Sequence, residues 1–375
     1  MRRYPYGLGV GLGILGLLVG QDVAAQSGRP VVGVSPVSWT ASEPSHIPNH
    51  HPRNHHLSHE AHRQAEEPHW DKDHHETHCH FEEEEPAEGH LIFRADYLYL
   101  QPRRRAVDFV IVDPNQDGRP QGNIESALWR PNSGFRLGGG YQLPGCEWQI
   151  GAYFTYFKNS DTRQFTAPDG GTLYATLTHP GFVDAVDFAK AINALEYYVL
   201  DIEVGRTFLD TDHLTLYLGG GGRFAWIDQE LNVSYDGTSA FNALVSSPIL
   251  FDGAGVRVGG EMQWKLCKGF RCYGRAYGSM LTGDFRTRLF ESNNAGGAII
   301  SNVTDDFRKV VPVMEMGVGL AWHGNHIHFR AGYELTNWFG LVDSPDFVHD
   351  YTNKLGARTG DLSFQGLAAQ FGINY

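Results

Sequence analysis

Fourteen charged residues, seven basic and seven acidic, carry the first legible chemistry. Arg94, Asp96, Arg136, Glu147, Asp201, Glu203, Arg223, Arg257, Glu261, Arg271, Arg275, Glu315, Arg330 and Glu334 sit in stretches where apolar residues tend to recur at every second position, and they take the opposite parity. Alternate residues of an extended strand face opposite ways, so these charges share one side of a sheet whose other side is apolar. An Arg near the middle of a bilayer costs about 2–4 kcal/mol, so that side must turn away from lipid. A balanced set of charges favours ion pairs across an enclosed interior. It suits a polar, water-filled pathway, and it equally suits a closed interior locked by salt bridges. Residue types alone do not choose between the two. Thirteen of the fourteen, all but Glu147, are the expected lining of such a pathway.

Four smaller groups have chemistry of their own. His74, His75, His78, Cys79 and His80 form the densest part of a tract that holds thirteen of the 19 histidines between His46 and His90, and neutral imidazole is a good ligand for Zn, Cu or Ni. Asp113, Asn115 and Asp117, followed by Gly118, match the start of a calcium loop, but Ile124 stands where the twelfth-position carboxylate belongs and Glu125 comes one residue late. Cys267 and Cys272 flank a short turn, where an exported protein can form a cross-hairpin disulfide. Asp305-Asp306 and His349-Asp350 are acid and histidine pairs of the kind a surface protease uses. Adjacent residues of an extended segment point apart, however, so the chain is read as having no enzymatic activity.

The elements that must position these residues divide the 375-residue chain into three parts. Arg2 and Arg3, the uncharged run Gly7 to Gly20, and small residues ending at Ala25 have the layout of a secretory signal peptide over 1–25. Residues 26–90 are rich in His, Glu and Pro, include the acidic run Glu82 to Glu85, and have too few apolar residues to offset their ordering entropy, which predicts a disordered periplasmic segment. Most of the net charge of -13 falls there. The overall acidity excludes a nucleic-acid binder. No mature apolar run reaches the ~18 residues of a membrane helix.

From 91 to 375 the pattern predicts an all-β chain. Strands are expected near 91–100, 133–142, 147–157, 195–208, 213–227, 253–265, 270–282, 308–322, 326–336 and 364–375. The connections alternate. Short ones lie at Leu143 to Cys146, Leu209 to Asp212, Leu266 to Gly269 and His323 to Asn325, and the others hold roughly 25 to 37 residues, far beyond ordinary hairpins. Short turns at one end and long loops at the other are the layout of a transmembrane antiparallel up-and-down β-barrel in the bacterial outer membrane. About ten strands are expected, or twelve if 228–252 hides one and a partner exists. Trp148, Trp264 and Trp322 at short-turn ends, with Trp226, Trp338 and Trp129 near long-loop ends, predict two aromatic girdles. Leu367, Ala369, Phe371, Ile373 and Tyr375 alternate to an aromatic end, a signal for the barrel-assembly machinery.

Five blocks then resemble one known family. They are Asp96-Tyr97-Leu98-Tyr99, Tyr198 to Arg206, Phe251 to Glu261, Val311-Pro312-Val313-Met314-Glu315 and Arg330 to Phe339. Together, in order, they are similar to the Legionella-type major outer membrane proteins, over about residues 91–375. The resemblance implies a pore-forming barrel for passive diffusion of small hydrophilic solutes or ions, with outer-membrane lipid around it and no resident cofactor. The alternative is a structural barrel that displays loops and carries a metal-binding His-rich tail.

Overall fold

The computed structural model describes residues 89–105, 107–178, 183–342 and 360–375. The expected signal peptide, the histidine tract with His74, His75, His78, Cys79 and His80, and His349-Asp350 lie outside the described residues. Within them the chain forms β1 (His90–Arg104), β2 (Asp108–Asp113), β3 (Asn123–Ser126), β4 (Asn132–Gln142), β5 (Trp148–Thr166), β6 (Thr172–Ala175), β7 (Ala185–Val186), β8 (Phe188–Asp210), β9 (Leu214–Asp236), β10 (Ala243–Lys265), β11 (Phe270–Asn293), β12 (Ala298–His323), β13 (Ile327–Val342) and β14 (Gly360–Asn374). Ten of these close a barrel in the order β1-β14-β13-β12-β11-β10-β9-β8-β5-β4. Each pairs antiparallel with its neighbours, and β14 closes on β1 through Ile92↔Asn374 to Arg104↔Leu362.

All ten expected barrel strands are present, and the short turns fall where the pattern breaks. Two expectations fail on the other side. The segments 228–252 and 283–307 are not long loops but the outer ends of β9, β10, β11 and β12, joined by turns at 237–242 and 294–297. The stretch 228–252 therefore hides no extra pair of barrel strands, and the count is ten rather than twelve.

The reason is an exchange of faces. On the lower part of β9, Leu218, Phe224 and Trp226 point outward and Arg223 inward. On the upper part, Ile227, Leu231, Val233 and Tyr235 are buried inside and Asp228, Glu230 and Asn232 point outward. β8 and β10 make the same change, with Ile202 and Val256 exposed outside, and Leu195 and Ile249 fully buried inside. Alternation continues, but the apolar face moves from lipid side to interior. β8 to β12 run 23 to 26 residues each, which is about 60 Å of height at ~3.3 Å per residue and a tilt near 40°, against an apolar band about 25 Å tall. The upper halves therefore stand in water, and their sequence obeys the rule for a soluble sandwich. At the crossover, exposed ion pairs replace apolar outward residues: Lys158–Glu196 at 2.5 Å, Arg308–Asp284 at 2.7 Å and Arg286–Asp252.

The projecting wall needs an interior, and a second, four-stranded sheet in the order β3-β2-β6-β7 supplies it. Phe109, Val110, Leu173 and Val186 pack on Ala189, Ala191, Leu231, Val233, Tyr235 and Val245 of the barrel. The Tyr235 hydroxyl donates to the carbonyl of Phe109 at 2.5 Å, and Trp129 Nε1 donates to the carbonyl of Asn193 at 2.8 Å. These strands occupy the two connections 105–131 and 167–187, read from sequence as plain loops.

Inward-facing glycines let neighbouring strands approach. A Cβ at Gly255 would stand 2.0 Å from the carbonyl oxygen of Met280 on β11. Backbone cannot yield as a flexible side chain can. Gly255→Val is therefore expected to lower barrel stability by at least the ~1–3 kcal/mol typical of overpacking. The urea midpoint of the heat-modifiable gel band measures it, and an unchanged midpoint would contradict the close approach.

Candidate functional site

Two layers of side chains fill the barrel, one ionic and one aromatic. The ionic layer follows from register. Asp201 on β8 stands opposite Arg223 on β9, and Asp96 on β1 opposite Arg136 on β4. Arg223 grips Asp201 with two bonds, Nε to Oδ1 at 2.6 Å and Nη2 to Oδ2 at 2.8 Å, and also contacts Glu315. Arg257 bonds Glu203 at 2.6 Å and Glu315 at 2.8 Å, with its guanidinium 3.5 Å from the centroid of the Tyr277 ring.

Other arginines also reach beyond the neighbouring strand. Arg136 reaches Asp96 at 2.9 Å and Glu334 on β13 at 3.1 Å, and Arg275 on β11 also binds Glu334. Arg330 on β13 binds Glu261 on β10, one of its bonds measuring 2.8 Å. Buried charges are costly singly, but shared carboxylates and planar guanidinium forks satisfy one another.

All thirteen expected lining residues face this interior, twelve around one cavity of about 250 Å³ and Glu334 beside it. Glu147 does not. It lies in the turn before β5, half-exposed, 3.8 Å from Arg206, because the turn carries it past the end of the alternating strand. The balance of seven and seven thus becomes seven guanidinium groups against six carboxylates.

Above the ionic layer a chain of aromatic rings crosses the barrel. Phe157 meets Phe364 at 5.6 Å, Phe364 meets Tyr197 at 4.8 Å, Tyr197 meets Trp338 at 5.9 Å, Trp338 meets Phe251 at 6.3 Å, and Phe251 meets Phe285 at 4.8 Å. Phe307 stacks on Phe285 at 5.0 Å. These rings come from β5, β14, β8, β13, β10, β11 and β12, seven of the ten barrel strands.

β13 helps by leaving the wall. Leu341 and Val342 are both fully buried although neighbours on a strand face opposite ways, and pairing with β14 slips between Trp338 and Val342. Gly340 makes the bend at φ +64°. Its N–H donates to Asp361 Oδ1 at 2.8 Å, and its carbonyl accepts from Lys309 Nζ at 3.2 Å.

This layer corrects part of the girdle reading. Trp148, Trp226, Trp264 and Trp322 are exposed on the outside, but Trp338 and Trp129 are buried inside, because their strand ends lie above the crossover of faces. The expected disulfide is also absent. Cys267 and Cys272 are free thiols. Cys272 stands opposite Trp264 in the β10–β11 ladder, so the residue facing it across the hairpin is not Cys267, which belongs to the turn beyond.

In the expected calcium loop, Asp113 accepts the N–H of Asn115 at 2.8 Å and of Gln121 at 2.6 Å, while Asp117 accepts that of Arg119 at 3.0 Å. These contacts make a capped turn. Among the described residues no three His, Cys, Asp or Glu side chains stand together as a metal site. Asp305 and Asp306 pair with Thr287 and Arg286 on opposite faces of the β11–β12 ladder.

Comparison with known proteins gives one family match. The family described as Legionella pneumophila major outer membrane protein precursor matches residues 86–375. Among curated proteins none matches. Of solved structures, the outer membrane protease OmpT from Escherichia coli is similar at 12% identity and a TM-score of 0.42, covering 76% of this chain and 96% of that one. A Pseudomonas aeruginosa FadL homologue is similar at 6% identity and a TM-score of 0.23, covering 76% and 90%. The Pseudomonas putida toluene transporter TodX is similar at 9% identity and a TM-score of 0.22, covering 76% and 90%.

Arg223→Met would leave Asp201 without its fork and Glu315 with one partner fewer. Breaking a buried pair from one side costs about 3–5 kcal/mol, and the urea midpoint of the folded band should fall accordingly. Arg308→Met, which removes an exposed pair, should leave that midpoint nearly unmoved; equal effects would refute the layer's structural role.

Proposed function

The chain belongs to the Legionella pneumophila major outer membrane protein family, and from that premise we propose that it is a porin-like channel for small hydrophilic solutes or ions whose resting state is closed. It is an outer-membrane β-barrel, and the short turns then lie on the periplasmic side. The observation that carries the reading is the polar cavity, which extends from rim residues such as Thr207, Thr215, His323 and Asn374 up to Tyr197 and Thr336 beneath the rings. A charged, hydrated vestibule is the half of a pathway that selects solutes. The ring chain is the gate, and the bend at Gly340 is its hinge. The reading assigns no catalytic role.

Opening moves Trp338 and Phe364 out of the crossing. Exposing an aromatic side chain of this size costs about 1.5–3 kcal/mol, hence roughly 3–6 kcal/mol for two. At about 1.4 kcal/mol per decade the open state would occupy on the order of one part in a hundred to one in ten thousand. The channel is therefore expected to be quiet, with rare openings.

A second reading, a structural barrel that presents its tall outer wall, is favoured by the continuity of the rings. Planar-bilayer recording separates the two. Gly340→Val puts a β-branched residue at a left-handed φ, which costs about 1–2 kcal/mol, so open time should rise roughly 5- to 30-fold. Trp338→Ala combined with Phe364→Ala should conduct continuously. If both variants fold, judged by heat-modifiable migration, and neither passes current, the channel reading is wrong and the structural one stands.

A further inference from the structure

We propose that the short-turn mouth of the cavity binds a small oxyanion of the phosphate type. The binding stands on the geometry; its meaning as the solute class of the pathway rests on the channel reading above.

Five of the seven lumenal arginines bind carboxylates. Arg94 and Arg271 bind none among the described residues. Arg94 has one bond, Nη1 donating to the Tyr153 hydroxyl at 3.3 Å, and Arg271 has one, Nη1 donating to Gln263 Oε1 at 3.0 Å. The nearby acids are already taken. Glu261 accepts from Arg330 and Gln263, and Asp96 accepts from Arg136 and Gln370. The mouth thus holds two guanidinium groups with no carboxylate bonded to either, in a layer enclosed by the barrel wall.

These two arginines are the ends of one arc. Arg94 stands opposite Gly372, Gly372 opposite His328, and His328 opposite His323. Gly372 has no side chain, and the His328 ring lies over it, with a hypothetical Cβ only 1.8 Å from Nε2. The His323 and His328 rings stack at 5.7 Å. Arg271 pairs with Ala321, two residues from His323, a diagonal separation of about 7–8 Å. The arc therefore follows five consecutive strands, β1, β14, β13, β12 and β11, along one side of the cavity.

Its free hydrogen-bonding capacity is mostly donor. Arg94 Nε, Arg330 Nε and, across the cavity on β5, Gln149 Nε2 are buried without partners, as is His323 Nδ1, against one unpartnered acceptor, Gln370 Oε1. Each of these nitrogens except His323 Nδ1 can only donate, and an imidazole always has at least one N–H. Buried donors without acceptors are costly to leave so, and a tetrahedral oxyanion offers several acceptors and a charge to guanidinium forks.

The test titrates inorganic phosphate into the full-length protein folded in zwitterionic detergent, by calorimetry, with sulfate and chloride as comparison anions and calcium chloride as the cation control. Saturable phosphate binding is expected. It should weaken at least tenfold in Arg94→Gln combined with Arg271→Gln, recover partly in the double Lys variant, and stay unchanged in Arg308→Gln, whose arginine is exposed outside the barrel. Heat-modifiable migration verifies that each variant folds. No phosphate binding by the folded wild type, or equal binding by the double Gln variant, overturns the site. Conductance of Gly340→Val without phosphate binding would leave the channel and remove the site, whereas phosphate binding by a protein whose opening variants pass no current would keep the site and remove the channel.

Discussion

Charge enclosed by a cylinder of backbone constrains everything else in this molecule. Seven arginines and six carboxylates face one enclosed interior, and most can be neither left unpaired nor turned outward. Side chains alternate along a strand, so a slip of one residue in any ladder would send that strand's charges into lipid and its apolar residues into the lumen. At about 2–4 kcal/mol for each Arg near the midplane, one slipped strand costs as much as a large part of a domain's net stability. Asp201 opposite Arg223 and Asp96 opposite Arg136 therefore do more than pair. They fix register where the glycine-rich stretch Gly219 to Gly222 has no side chains with which to fix it.

The ionic and aromatic layers depend on each other. Rings above the charges keep water from reaching them on the outer side, and attraction between unlike charges strengthens as the surroundings become less polar. The ion pairs in turn draw β8, β9, β10, β12 and β13 together at one level, and that sets the spacing at which Tyr197, Trp338 and Phe251 touch. Tyr197 belongs to both layers, lining the cavity below and meeting Phe364 and Trp338 above. The arginines that hold this layer together also line the cavity, so the groups that lock the wall are among those that face the enclosed space.

The membrane-embedded half was legible in the sequence because lipid imposes a strict rule. Apolar residues outside and polar ones inside gave ten strands, their short turns and the inward parity of thirteen charged residues. The upper half was opaque because the rule reverses in water. Along β9 the apolar parity shifts between Trp226 and Ile227, and in sequence that shift resembles a strand ending. For the same reason Trp338 read as part of a girdle. The small sheet was hidden for another reason: β6 and β7 have four and two residues, too few for a period to show. A signal for the aromatic layer did exist. Phe251, Phe285, Leu289, Val311 and Val313 hold one parity across three strands, and a second apolar parity beginning where the first stops marks a wall that rises out of the bilayer.

That rise gives the second sheet its purpose. A barrel ending at the membrane surface would need nothing over its mouth, but β8 to β12 carry Ala189, Leu231, Val233, Tyr235 and Val245 above the rings on a wall whose inner face would otherwise meet water. The connections 105–131 and 167–187 fold back to cover that face, and the opposite side of the barrel, where β4 has only 11 residues, leaves the gap through which they arrive. The low side also carries β13, whose inward bend at Gly340 supplies Leu341 and Val342 to the ring layer. One half of the wall is thus tall, filled and braced, while the other is shorter and adds the bent end of β13 to the ring layer. On the channel reading proposed above, opening would fall to β13, because its bend at Gly340 places Trp338, Leu341 and Val342 in the ring layer.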